Sequence, residues 1–133
     1  TERTRPEWYK GFERAQALMI KENKYDEALA EFRRSERHLP KEFPSNPEEF
    51  RMILTGFYNY ACALGIAAAR NEENRPALVE ESFKWLTLAM EIGFRGKACN
   101  CHISGSEHMR FDEDLKVLRD DPRFLKLIGY AED

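Results

Sequence analysis

One stretch constrains this chain more than any other. From Pro47 to about Arg70, apolar residues recur at helical spacing without a break: Phe50, Ile53, Leu54, Phe57, Ala61 and Leu64 share one side. The run opens on "SNPEEF", where Asn46 can cap, Pro47 suits the first helical position and Glu48 and Glu49 favour the positive end of the dipole. A helix this long with one apolar side needs other helices to cover it. The rest of the chain is therefore read for covering partners.

Such partners are legible on both sides. Pro6 can open a helix carrying Trp8, Phe12, Ala15 and Met19 at spacings of four, three and four. Asn23 tolerates the left-handed conformation and is a natural stop. A second helix carries Ala28, Leu29, Phe32, Ser35 and Leu39 inward and is ended by Pro40 and Pro44. After "RNEENR", Pro76 opens a fourth helix with Leu78, Val79, Leu86, Ala89 and Met90, which Gly93 closes. Asp112 can cap a short helix through Leu115 and Leu118. Asp121-Pro122 starts another, with Phe124, Leu125 and Ile128 turned inward. No segment asks for a strand, so the expected class is all-α, built as successive antiparallel helical hairpins.

Composition narrows the function classes. A chain of 133 residues is read as one domain able to bury a core. Its net charge of −3 and interleaved signs lack the basic stripe of a nucleic-acid binder. No apolar run approaches bilayer length, the most apolar window being "ACALGIAAA", so no membrane insertion is expected. Three cysteines cannot all pair within the chain. With no secretory pattern at Thr1, the expected compartment is the cytoplasm.

The catalytic motifs are missing: there is no glycine-rich phosphate loop, Gly-x-Ser-x-Gly elbow, His-Glu-x-x-His or acidic calcium loop. The pairs Glu48/Glu49 and Glu80/Glu81 are adjacent, so a helix sends them in different directions, and they read as solvated charge. The expectation is a non-enzymatic chain without a cofactor. One stretch, "GKACNCHISGSEHM", concentrates soft ligands. Cys99-Asn100-Cys101-His102 is one residue short of the haem-attachment spacing. Cys99, Cys101, His102 and His108 could supply four zinc ligands, but their spacing matches no common zinc module. The stretch is read as a connector, with a metal- or redox-sensing loop as the alternative. Cys62 is read as a small core residue, Trp8 and Trp85 as packing anchors. The run "EFRRSERH" is read as a solvated helix face.

The hairpins also resemble one another. "NKYDEALAEFRRSERHLP" is similar to the second half of a tetratricopeptide repeat: a turn tyrosine, small Ala28, then Phe32, small Ser35 and closing Pro40. "YNYACALGIAAA" and "EESFKWLTLAMEIGF" resemble a second, looser copy, with Cys62 at a small-residue position and Ser82, Leu86 and Ala89 echoing Ala28, Phe32 and Ser35. An insertion of about eight residues is expected between its helices, around Arg70–Ala77. "FDEDLKVLRDDPRFLKLI" looks like the closing segment after the last unit of bacterial arrays.

The resemblance implies a short right-handed superhelix. Residues 6–40 would form the first repeat and 47–93 an extended second one, followed by a loop at 94–111 and capping helices at 112–130. It also implies a protein-interaction or scaffold module. A protein or peptide partner would lie in the concave groove at Lys10, Glu13, Arg14, Ala17 and Lys21, and at Asn59, Tyr60, Ala63 and Ile66. Glu13 and Ala17 stand where the carboxylate-gripping members carry lysine and asparagine, so that clamp is not expected. The alternative is a structural or self-associating module of a larger multidomain protein, which the start at Thr1 would suit.

Overall fold

The computed structural model describes residues 5–91, 113–119 and 121–128; within these, the side chains of Glu113, Leu125 and Ile128 are not described. All regular structure in these residues is helical. The elements are α1 (Glu7–Ile20), α2 (Tyr25–Glu36), α3 (Pro47–Arg70), α4 (Arg75–Glu91), a 3-10 turn (Glu113–Leu118) and α5 (Pro122–Ile128).

Local chemistry sets the boundaries. Asn46 accepts from the backbone N–H groups of Glu48 and Glu49 at 2.8 and 3.1 Å, so the expected cap of α3 is in place. Asn23 takes φ 56°, and Lys24 N–H donates to the Leu18 carbonyl at 2.9 Å, a left-handed closure of α1. α2 stops at Glu36, a turn before Pro40. Asp121 Oδ1 accepts from Arg123 N–H at 2.9 Å and starts α5 behind Pro122.

One expectation about the connections is corrected here. The insertion expected around Arg70–Ala77 is absent: α3 and α4 are joined by residues 71–74 alone. The additional length lies in the helices. The turn is tight because Arg75 reaches back, Nε donating to the Ala68 carbonyl at 2.8 Å and the guanidinium also to that of Ala69, which satisfies the exposed last carbonyls of α3. The short helix expected through Leu115 and Leu118 is a 3-10 helix, Glu113–Leu118. The connector, with Gly93, Asp112, Cys99, Cys101, His102 and His108, lies outside the described residues.

The packing is that of two antiparallel hairpins laid against each other. Within the first, Phe12 meets Phe32 edge-on at 5.5 Å; within the second, Ser82 donates to the Ala61 carbonyl at 2.8 Å and Phe57 meets Trp85 at 5.0 Å. α3 packs on both α1 and α2, on α4, and on the 3-10 turn. It is therefore buried nearly all round, including Gly56, Tyr58, Tyr60, Cys62, Ala63, Gly65 and Ala68 beyond the predicted stripe.

Close approach needs missing side chains. A Cβ on Gly56 would overlap the Phe12 ring, and one on Gly65 would sit 2.5 Å from the Asp114 carbonyl oxygen. Through Gly65 the 3-10 turn seats Leu115 and Leu118 in the core.

By length and composition α3 is apolar enough to cross a membrane, which corrects the expectation that no run approaches that length; here 67% of its apolar window is buried within the protein. At the centre, Tyr60 lies stacked between Phe32 (5.0 Å) and Trp85 (4.6 Å), and Phe12 and Phe57 extend the aromatic chain into α1. Such contacts add about 0.5–1.5 kcal/mol per pair beyond the area buried.

Candidate functional site

α1 and α3, the first helices of the two hairpins, lie side by side. Phe12 packs on Gly56 and Phe57, Gln16 Nε2 donates to Met52 Sδ at 3.4 Å, and the Tyr9 hydroxyl donates to Glu48 at 3.2 Å. α1 presents Glu13, Arg14 and Lys21 to solvent, with Lys10 and Ala17 half-buried; on α3, Asn59 and Ile66 are half-buried.

The structure does not gather all nine predicted groove residues. Tyr60 is fully buried and Ala63 is 1% exposed, so neither meets a partner in this fold. The tyrosine was assigned to the groove by its place in the repeat resemblance. In the structure it is the middle ring of a three-ring stack, with its hydroxyl donating to Glu36 Oε1 at 2.8 Å. Burial, and secondarily that bond to a carboxylate, push its pKa far above the ordinary tyrosine value.

The charges on α1 are partly committed. Arg5 bonds Glu48 at 2.6 Å and reaches Glu13 at 3.6 Å. Arg14 donates twice to Glu31 Oε2, at 3.1 and 2.7 Å. Arg34 holds the other oxygen of the same carboxylate. Glu31 is 6% exposed. It is therefore not part of a solvated face, as "EFRRSERH" suggested, but a buried acid pinning α1 to α2. Among the described residues Lys10 and Lys21 carry no ion pair. Arg5, Lys10, Glu13 and Arg14 line a shallow depression of about 230 Å³. Ile66 belongs to a separate hollow of about 370 Å³, shared with Tyr25, Ala69, Arg70, Asp114 and Lys116. The accessible groove residues thus fall in two places, a charged surface along α1 and, on α3, Ile66 in the hollow beside Tyr25 and Asp114.

The adjacent acids do part company. Glu48 goes to Arg5 and Tyr9, Glu81 to Arg33 at 2.5 Å, and Glu80 to Arg123 at 2.7 Å. Arg123 holds both Glu80 and Asp121 below their ordinary carboxylate range. Among the described residues no group of His, Cys, Asp and Glu is placed to hold a metal ion. The four residues of the alternative metal site lie outside the described part.

One opening was missed. Between α4 and α5 runs a trough of about 730 Å³, lined on α4 by Glu80, Phe83, Lys84, Thr87, Leu88 and Glu91 and on α5 by Arg123, Lys126 and Leu127. Its sequence signal was available. These α4 residues recur at three and four, forming a second stripe beside the inward one of Leu86, Ala89 and Met90.

Comparison with family models, curated proteins and solved structures finds no match to this chain.

Proposed function

We propose that the chain is a non-catalytic protein-interaction module of tetratricopeptide type that binds a peptide or protein segment along α1 and α3. The observation that carries this reading is the side-by-side placement of the two first helices. It leaves Lys10, Glu13, Ala17, Lys21, Asn59 and Ile66 partly or fully open to solvent. A surface of two uncommitted lysines, an amide and small apolar patches suits an extended segment with acidic and short apolar residues.

The ends of the stack favour a partner of a different kind over further copies of the same unit. The 3-10 turn covers α3 at one end. Asp26, Glu27, Ala30 and Arg34 of α2 are exposed and all but Ala30 charged. Stacked repeat units meet through apolar faces.

The test is a random peptide array probed with the full chain and with a K10E/K21E/N59A variant. Lys21 is exposed and Lys10 and Asn59 are half-buried, and a thermal melt checks that the variant keeps the fold. Selected peptides should be retained by the parent and lost, about tenfold or more, by the variant. Undiminished binding by the variant would reject this surface.

A further inference from the structure

The trough between α4 and α5 has no part in the surface proposed above, and its chemistry is specific. Its floor is apolar: Phe83 is buried, while Leu88 and Leu127 are half-buried and face the opening. Its volume falls in the range of about 300–1,000 Å³ typical of small-molecule sites.

The charges around it divide into committed and free. Arg123 lies over the Phe83 ring at 4.3 Å and is bound to Glu80 at 2.7 Å and Asp121 at 2.8 Å. That cluster closes one end with one guanidinium held between two carboxylates, so its net charge of −1 lies at that end. Farther along stand Lys84 on one bank, Lys126 on the other and Glu91 two turns beyond Lys84. Among the described residues neither Lys126 nor Glu91 has an ion-pair partner, and the Lys84 ammonium rests 4.8 Å from the centre of the Trp85 ring. Lys84 and Lys126, without an ion-pair partner among the described residues, flank the apolar floor between the acidic Arg123 end and Glu91, and match an elongated apolar molecule whose one negative head sits between them. A cation would be repelled by both lysines.

We propose that this trough binds a small amphipathic carboxylate in free solution, its apolar body on Phe83, Leu88 and Leu127 and its carboxylate taken by Lys84 and Lys126. Trp85 supplies a local reporter. When a carboxylate draws the Lys84 ammonium away from the indole, Trp85 emission must change.

The experiment titrates the full chain with decanoate and, separately, with decyltrimethylammonium, following heat and tryptophan emission. The expected result is one saturable decanoate site per chain, with an emission change at the same midpoint and no binding of the cation. A K84Q/K126Q variant, altered only at exposed positions, should bind decanoate about tenfold or more weakly. L88D should abolish binding. The K10E/K21E/N59A variant should bind as the parent does, which separates this site from the α1/α3 surface. The proposal is overturned by the absence of a saturable decanoate site, by equal affinity for the cation, or by unchanged affinity in K84Q/K126Q.

Discussion

Replacing Tyr60 discriminates between a surface residue and a core residue more sharply than any other substitution. Tyr60→Ala removes the middle ring of the Phe32–Tyr60–Trp85 stack and leaves a void among three helices. Truncation of a buried aromatic costs about 3–5 kcal/mol, whereas a solvent-facing residue costs within about 0.5 kcal/mol. In urea, where the free energy falls by roughly 1–3 kcal/mol per molar, the midpoint should drop by about 2 M. Tyr60→Phe keeps the ring and loses only the bond to Glu36. Because Glu36 is half-buried and can take up water, the cost should be about 1 kcal/mol.

The phenol adds a pH signature. Its pKa is raised on folding, so above the ordinary value of 10.0 the unfolded chain loses this proton before the folded one does. The stability it contributes is complete below pH 10 and declines as pH rises beyond it. Tyr60→Phe should flatten that alkaline decline without abolishing it, since the Tyr9 pKa is raised as well, chiefly by burial. Urea denaturation followed by tryptophan fluorescence between pH 7 and pH 11 reads both effects (the window is about one unit past the tyrosine range). A Tyr60→Ala midpoint equal to that of the parent would refute the assignment of Tyr60 to the core.

Other substitutions test separate joints. Asn46→Ala should cost about 1 kcal/mol in thermal unfolding through loss of the α3 cap. Glu31→Ala should cost about 1–3 kcal/mol in urea unfolding; its partners Arg14 and Arg34 are more than half exposed and rehydrate, which keeps the loss below that of a fully buried pair. Gly65→Ala should push the 3-10 turn away, at a cost of about 1–3 kcal/mol, with faster amide exchange at residues 113–118 as the local sign. Arg123→Ala should return Asp121 and Glu80 toward 3.8 and 4.5 in an NMR titration. Both are depressed in the folded chain, so the stability they add is present above pH 4.5 and lost as pH falls; the variant should show a shallower acid limb.

Much of this fold could be read from residue spacing. Every residue of the α1 stripe (Trp8, Phe12, Ala15 and Met19) is buried, and Ala28, Phe32 and Ser35 line the inner side of α2. What periodicity could not reveal was how many neighbours α3 has. A stripe marks one face, and most of α3 is buried on its other sides as well, so Tyr60 and Ala63, which the repeat resemblance put in the groove, lie in the core beside half-buried Asn59 and Ile66. Small residues were the overlooked signal. Gly56, Ala61, Ala63, Gly65 and Ala68 mark where other elements come close. Glu31 was misread for a related reason: within a charged run, only the position of Arg14 on another helix shows which acid turns inward. The trough between α4 and α5 went unnoticed because its stripe of Phe83, Thr87 and Leu88 is less apolar than the one facing α3. The charged α1 positions Glu13, Arg14 and Lys21 are exposed where helical spacing put them, since exposed charge follows directly from the helix period.

The most direct test of the binding surface is amide hydrogen–deuterium exchange on the full chain, with and without an array-selected peptide at saturating concentration. Binding along the paired first helices predicts added protection within residues 10–21 and 59–66 and no change along the outer face of α2. Protection centred on α2 or on the α4/α5 trough, with none on α1, would contradict it.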